Sequence, residues 1–289
     1  MAARSFVEHA PAKVNLTLRI TGRRRDGYHT LESLVAFALV GDRVSLRVAG
    51  KVDLTTRGRF AAAVGAPANN LVLRAARALA AEVPKLKTGR FTLTKNLPAA
   101  GGLGGGSADA AAALRLLARA NGIALTDIRL LRVARQLGAD VPVCLDPRAR
   151  LMRGIGEVLS RPQRVPRLAA VLVNPGVALV TARVFARFDG IKMKSPKGHS
   201  RRIPSRMKPL LEYLAAQPND LEEAAIALAP KVAAALDALR YARGCELARM
   251  TGSGATCFGL FGSRRAAEAA ARKLATQHRR WWVRATVLR

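Results

Sequence analysis

Five glycines fall within six consecutive positions, Gly101 to Gly106, broken only by Leu103. Glycine loses more backbone freedom on folding than any other residue, so such a run needs a compensating reason. One is that bare amides approach a ligand closely, with no Cβ in the way. An alternating stretch, Arg90–Thr94, precedes the run and predicts a strand, while Ala110–Ala120 is alanine-rich and predicts a helix. A glycine loop opening onto a helix N-terminus offers unpaired N–H groups and the positive end of a dipole to an anion. Ser107 adds a hydroxyl that suits a phosphate oxygen or its metal. The competing reading is a flexible linker, which rarely carries a leucine between a strand and a helix. No Gly-Lys-Ser/Thr follows, so the loop is not of the Walker type. Nor is a βαβ unit closed by an acid about 20 residues on, as a dinucleotide fold requires. The anion is therefore held by another architecture.

Around this loop the chain predicts mixed strands and helices without βαβ alternation, which favours an α+β fold. Residues 10–20 alternate, with Val14, Leu16, Leu18 and Ile20 on one face and Lys13, Asn15, Thr17 and Arg19 on the other. Further strands are expected in 31–48, 168–173, around Thr251–Gly254 and at 281–288. Helices are expected at 71–81, at 126–137 with Thr126 as N-cap, at 221–239 and at 264–278. Pro162, Arg164 and Pro166 suggest a boundary, giving domains 1–163 and 164–289.

The formal charge is +30, from 49 Lys and Arg against 19 Asp and Glu. Such a balance attracts polyanions and concentrates anionic substrates. The basic residues are spread along the chain, and the dense basic run 192–208, which contains no acid, lacks the interleaved aromatics that stack bases. No specific nucleic-acid partner is expected. No stretch has the ~20 apolar residues of a membrane span, and the first residues lack a signal-peptide core. Cys144, Cys245 and Cys257 are odd in number and form no CxxC pair, so neither a disulfide frame nor a zinc site is suggested. A cytoplasmic setting is expected.

Asp140 follows Gly138, which ends a predicted helix, and precedes Val141-Pro142. Proline disfavours helical geometry in the residue before it, so Val141 is expected to be extended and Asp140 held at a junction. Asp140 could equally be a helix N-cap. Lys13 reads as a solvated strand lysine, Tyr28-His29 as a surface pair after a turn, and Phe185 as helix core.

The loop together with Ala10-Pro-Ala-Lys-Val-Asn-Leu-Thr-Leu18, Arg25-Asp-Gly-Tyr-His29, Leu137-Gly-Ala-Asp-Val-Pro142, Gly154-Ile-Gly-Glu157, Asn174-Pro-Gly176, Asn219-Asp-Leu-Glu222 and Met250-Thr-Gly-Ser-Gly-Ala255 resembles the GHMP kinases. The resemblance implies the two-domain GHMP kinase fold: an N-terminal domain like the second domain of ribosomal protein S5, and a ferredoxin-like C-terminal domain. It implies ATP with Mg2+, with the nucleotide held by Pro98, Ala99, Ala100, Gly101, Gly102, Leu103, Gly104, Gly105, Gly106, Ser107 and Ala108, and with Asn70 and Lys95 lining the adenine side. Asp140 becomes the general base and Lys13 its catalytic partner. The longer Gly-Leu-Gly-Gly-Gly-Ser form resembles the branch acting on a cytidine diphosphate derivative in non-mevalonate isoprenoid synthesis. There Tyr28, His29 and Phe185 would hold the cytosine, and Asn15 would contact the rest of the substrate. The implied reaction is phosphorylation of the 2-hydroxyl of 4-diphosphocytidyl-2-C-methyl-D-erythritol. The alternatives are a GHMP kinase for another small alcohol, such as homoserine or mevalonate, and a basic nucleic-acid-binding protein on an S5-like scaffold. The chain departs from the family at Ala100, where glycine is usual, at Ala108, where a second serine is frequent, and at Val35, where an aromatic often lines the cytidine pocket. No acid is assigned to magnesium.

Overall fold

The computed structural model describes residues 4–65, 69–189 and 202–289. The expected basic run lies outside the described residues as far as 201. In chain order the elements are β1 (Ser5–Asn15), β2 (Arg19–Arg23), β3 (His29–Val48), β4 (Asp53–Arg57), α1 (Leu71–Glu82), β5 (Gly89–Thr94), α2 (Gly105–Asn121), α3 (Ile128–Leu137), α4 (Val141–Leu145), β6 (Arg150–Gly154), β7 (Val158–Leu159), β8 (Leu168–Asn174), α5 (Thr181–Asp189), α6 (Met207–Ala215), α7 (Glu222–Leu228), α8 (Lys231–Arg240), β9 (Cys245–Met250), β10 (Cys257–Phe261), α9 (Arg264–Gln277) and β11 (Trp282–Leu288). The mixture is α+β, as the sequence predicts. No helix among the described residues is long and apolar enough to cross a membrane.

These elements form two compact units made of interleaved segments. The first takes residues 1–13, 41–99 and 104–147; the second takes 14–40, 100–103 and 148–289. The cut expected at 163/164 falls inside the second unit, in the stretch joining β7 to β8.

In the first unit the C-terminal half of β3 runs antiparallel to β5, from Arg43 opposite Thr94 to Val48 opposite Gly89. On its other side β5 pairs in parallel with β4. Leu46, Phe91 and Leu93 are buried, and the residues between them are more exposed, as the period of two requires. Among the described residues, α1, α2, α3 and α4 belong to this unit. Asn70 caps α1 through its Oδ1, which accepts from the Val72 amide at 2.9 Å, and Leu73, Ala76 and Leu79 carry the buried stripe. Helix α2 is buried nearly all round, Ala110, Ala111, Ala112 and Ala113 included, which only small side chains permit. Asp127, not Thr126, caps α3, accepting from Arg129 N–H at 2.9 Å.

In the second unit β11, β8, β10 and β9 form an antiparallel ladder, joined to the N-terminal half of β3 where Leu288 pairs with Ala38. β2 and β6 also pair with β3. The single strand expected over 10–20 is two. Leu16 and Thr17 amides both reach the Leu34 carbonyl, at 2.8 and 3.4 Å, and Thr17 Oγ1 accepts from the Leu34 amide at 2.9 Å. A side chain thus replaces a ladder bond and breaks the run. The expected helix over 221–239 is also two, because Pro230 lacks an N–H and starts α8 instead of continuing α7.

Candidate active site

Gly104 sits at the N-cap position of α2 with φ +61° and makes no side-chain cap, so the first amides of the helix have no side-chain acceptor from it. A Cβ at Gly104 would lie 3.2 Å from Lys13 Cε and 3.7 Å from Asp140 Oδ2. The space above the helix start is therefore walled by these two side chains. Lys13 Nζ and an Asp140 oxygen are 3.0 Å apart. Lys13 is buried rather than solvated, while the Asp140 side chain keeps 36% of its surface exposed. Such a pair, dry on one side and open on the other, holds a negative oxygen next to an anion-receptive helix end. Ser107 is half-buried in the first turn of α2.

Asp140 precedes α4 and has near-helical angles, φ −84° and ψ −15°, but its carboxylate makes no capping bond. It is thus left to face Lys13. Val141 is helical, not extended as expected. Pro142 falls in the first turn, where its missing N–H has no helical partner to lose. Burial pushes the nearby Cys144 thiol up to about 12, and the Asp140 carboxylate adds to the effect, so this cysteine stays protonated.

Lys95, expected on the adenine side, has its ammonium buried between the Asp42 and Asp109 carboxylates, 2.8 Å from the latter. Asp42 also accepts the Asn96 and Leu97 amides at 2.5 and 2.9 Å. A Cβ on Gly105 would come within 3.4 Å of Lys95 Nζ, so this cluster underlies the first turn of α2. Burial alone would lower the Lys95 pKa, but Asp109 and Asp42 more than reverse that. Asp109 Oδ1 is buried without a hydrogen-bond partner. Burial drives its carboxyl up to about 7; Lys95 opposes this and Asp42 reinforces it. Sequence reasoning missed Asp42 and gave Asp109 no role. An acid at the fifth position of a glycine-led helix was the only hint.

In the second unit, residues 100–103 pack on the Thr251–Ala255 turn. Ala100 and Gly102 both have positive φ, +49° and +74°. A Cβ on Gly102 would sit 2.4 Å from the Thr251 carbonyl oxygen, and Thr256 N–H donates to Gly101 O at 3.1 Å. Leu103 is buried and anchors the loop.

The same unit brings His29 and Phe185 together, their rings stacked at 5.0 Å and 27°. Phe188 meets His29 edge-on at 6.1 Å. His29 Nε2 is 2.6 Å from Asp189 Oδ1, a partner the sequence did not reveal. Phe185 is only partly buried, whereas Val184 and Phe188 supply the core face of α5. Tyr28 points outward, 63% exposed. Asn15 is buried; its Nδ2 donates to Ser33 Oγ at 2.7 Å and its amide to Thr251 Oγ1 at 2.8 Å. Val35 is fully buried in β3.

Among the described residues no group of three or more His, Cys, Asp or Glu is placed to cage a metal ion. Oxygen donors near the start of α2 include the Asp140 carboxylate and the Ser107 hydroxyl. That suits an ion such as Mg2+, which keeps water and phosphate ligands.

Residues 70–146 match the family model for the GHMP kinase N-terminal domain, and residues 203–280 that for the GHMP kinase C-terminal domain. The chain is 53% identical to the 4-diphosphocytidyl-2-C-methyl-D-erythritol kinase of Xanthobacter autotrophicus, over 97% of this chain and 98% of that one. It is 54% identical to the enzyme of the same name from Methylobacterium radiotolerans, over 98% and 99%. A crystal structure of 4-(cytidine 5'-diphospho)-2C-methyl-D-erythritol kinase superposes with TM-score 0.78 at 32% identity, over 98% of this chain and 99% of that one. Homoserine kinase from Cytophaga hutchinsonii shares the fold, with TM-score 0.71 at 21% identity, over 98% and 94%. The architecture is therefore the two-domain GHMP kinase fold, and the chain belongs to the GHMP kinases and, among them, to the 4-diphosphocytidyl-2-C-methyl-D-erythritol kinase family.

Proposed function

We propose that this chain transfers the γ-phosphoryl group of ATP to the 2-hydroxyl of 4-diphosphocytidyl-2-C-methyl-D-erythritol. The observation that carries the chemistry is the Lys13–Asp140 pair standing against Gly104 at the mouth of α2. Near half identity to relatives that bear this substrate's name supports the choice of acceptor over homoserine or mevalonate.

In this reading the amides of residues 98–108 and the dipole of α2 receive the triphosphate. Asp140 and Ser107 would help to hold magnesium, which would supply charge neutralisation to the phosphates. Asp140 accepts the proton of the attacking hydroxyl. The new O–Pγ bond forms as the bond from Pγ to the β,γ-bridging oxygen breaks, and ADP leaves. Lys13 holds the aspartate in place through their ion pair and offsets charge on the transferring group. His29, Tyr28 and Phe185 take the cytosine, and Asn15 contacts the diphosphate-linked part. Asn70 and Lys95 border the adenine side through the framework they brace, since their polar atoms bond to Val72, Asp42 and Asp109. The two matched segments end at 146 and begin at 203, which supports a domain boundary at 163/164. We place the enzyme in the cytoplasm.

The test is phosphoryl transfer by the wild type and by Asp140→Asn, with ATP affinity measured for both. The variant is expected to lose at least about 100-fold in turnover, the scale of one general base, and to bind ATP as before. Undiminished turnover, or loss of ATP binding along with the fold, would refute the assignment.

A further inference from the structure

We propose that Arg115, in the middle of the phosphate-binding helix, is the positioning residue that sets the geometry of the Lys13–Asp140 pair. The inference rests on the chemistry assigned to that pair.

Arg115 is buried, yet each face of its guanidinium is used. Nε donates to a Glu8 carboxylate oxygen at 3.0 Å, Nη2 to the His9 carbonyl at 2.7 Å, and Nη1 to the Cys144 carbonyl at 2.6 Å. The first two acceptors lie on β1, four or five residues before Lys13. His9 and Lys13 are four positions apart on β1, an even offset, so they lie on one face of the strand. The third acceptor is on α4. Three elements are tied through one planar fork whose donor directions are fixed.

The link to Asp140 is one helical turn long. The Cys144 amide donates to the Asp140 carbonyl at 3.4 Å, and the carbonyl of the same residue takes the bond from Arg115. Helix α4 has only five residues, too few to be stable or fixed in place by its own hydrogen bonds. Its position must come from outside. A cation at its last turn satisfies a carbonyl left without an intrahelical partner and complements the dipole there. At its other end Asp140 has no capping bond to hold it. Arg115 thus fixes the base of the turn whose top carries the reacting carboxylate. It also holds the strand that carries the lysine.

A residue of this kind acts on geometry and not on nucleotide capture. A misplacement of about 1 Å at reacting groups costs on the order of 100-fold in rate. Arg115→Lys keeps the charge but cannot satisfy three acceptors in three directions. It is expected to lower kcat by ~10- to 100-fold, with the KM for ATP and its directly measured Kd changed by less than about threefold. Rates are taken per folded molecule, below the unfolding transition. In an Asp140→Asn background the same substitution is expected to cost little further, because residues that act as a unit are not additive. Arg115→Met serves as a second variant of similar reach. Full kcat in folded Arg115→Lys beside an inactive Asp140→Asn overturns the positioning role alone, as do losses that multiply in the double variant. Full turnover in Asp140→Asn overturns the proposal together with the chemistry beneath it.

Discussion

The carboxyl of Asp109 gives the molecule a pH-dependent stability that its isostere should lack. Its pKa rises from an ordinary 3.8 to about 7, because it is buried beside Asp42 and Lys95 only partly compensates. The folded protein therefore keeps a proton there up to about pH 7, and the unfolded chain releases it near pH 4. Between those values the native state binds more protons, so stability falls as pH rises, and the slope vanishes on either side. The window covers about three pH units at ~1.4 kcal/mol each, or about 4 kcal/mol in all. Cys144, which also senses this carboxyl, titrates far above the window, and so does Lys95. Asn at 109 mimics the protonated acid at every pH. Urea unfolding of wild type and Asp109→Asn at pH 5, 6, 7 and 8 isolates the effect, since all other groups are common to both. The wild type is expected to lose its advantage over the variant, or to fall further behind it, by about 1 kcal/mol or more for each unit up to pH 7. Curves that stay parallel across this range would show that Asp109 is ionised throughout and that the reasoning from burial is wrong.

Three other substitutions probe the glycine loop, an open glycine as its control, and the base side. Gly102→Ala combines positive φ with a Cβ placed 2.4 Å from the Thr251 carbonyl oxygen, and should cost on the order of 3 kcal/mol in urea unfolding. Gly50→Ala, which meets nothing within 4 Å, should change stability by less than about 0.5 kcal/mol; equal effects at both sites would refute the packing argument. Phe185→Ala should weaken CMP binding, read by calorimetry, by ~1–3 kcal/mol and leave ATP affinity unchanged; unchanged CMP affinity would remove Phe185 from the base site.

Single residues mark how far sequence pattern reached. Cap chemistry placed α3 within one residue, yet chose Thr126 when Asp127 was the better-oriented acceptor. Periodicity found the Ala-rich stretch at 221–239 but underweighted Pro230, which divides it. Alternation suggested that Lys13 was solvated; burial of both faces around it decided otherwise.

What the chain determined alone was local. A glycine run between a strand and a helix leads to the expectation of an anion site, because backbone freedom and helix amides are properties of adjacent residues. Ordered motifs further along gave the family and its chemistry. Only tertiary structure could bring Asp42 and Asp109 onto one ammonium 53 and 14 residues away, or His29 onto Asp189 across 160 residues. It also spread the guanidinium of Arg115 over β1 and α4. The reason is physical: a buried charge has to find partners wherever packing puts them, and no spacing rule along a chain encodes that meeting.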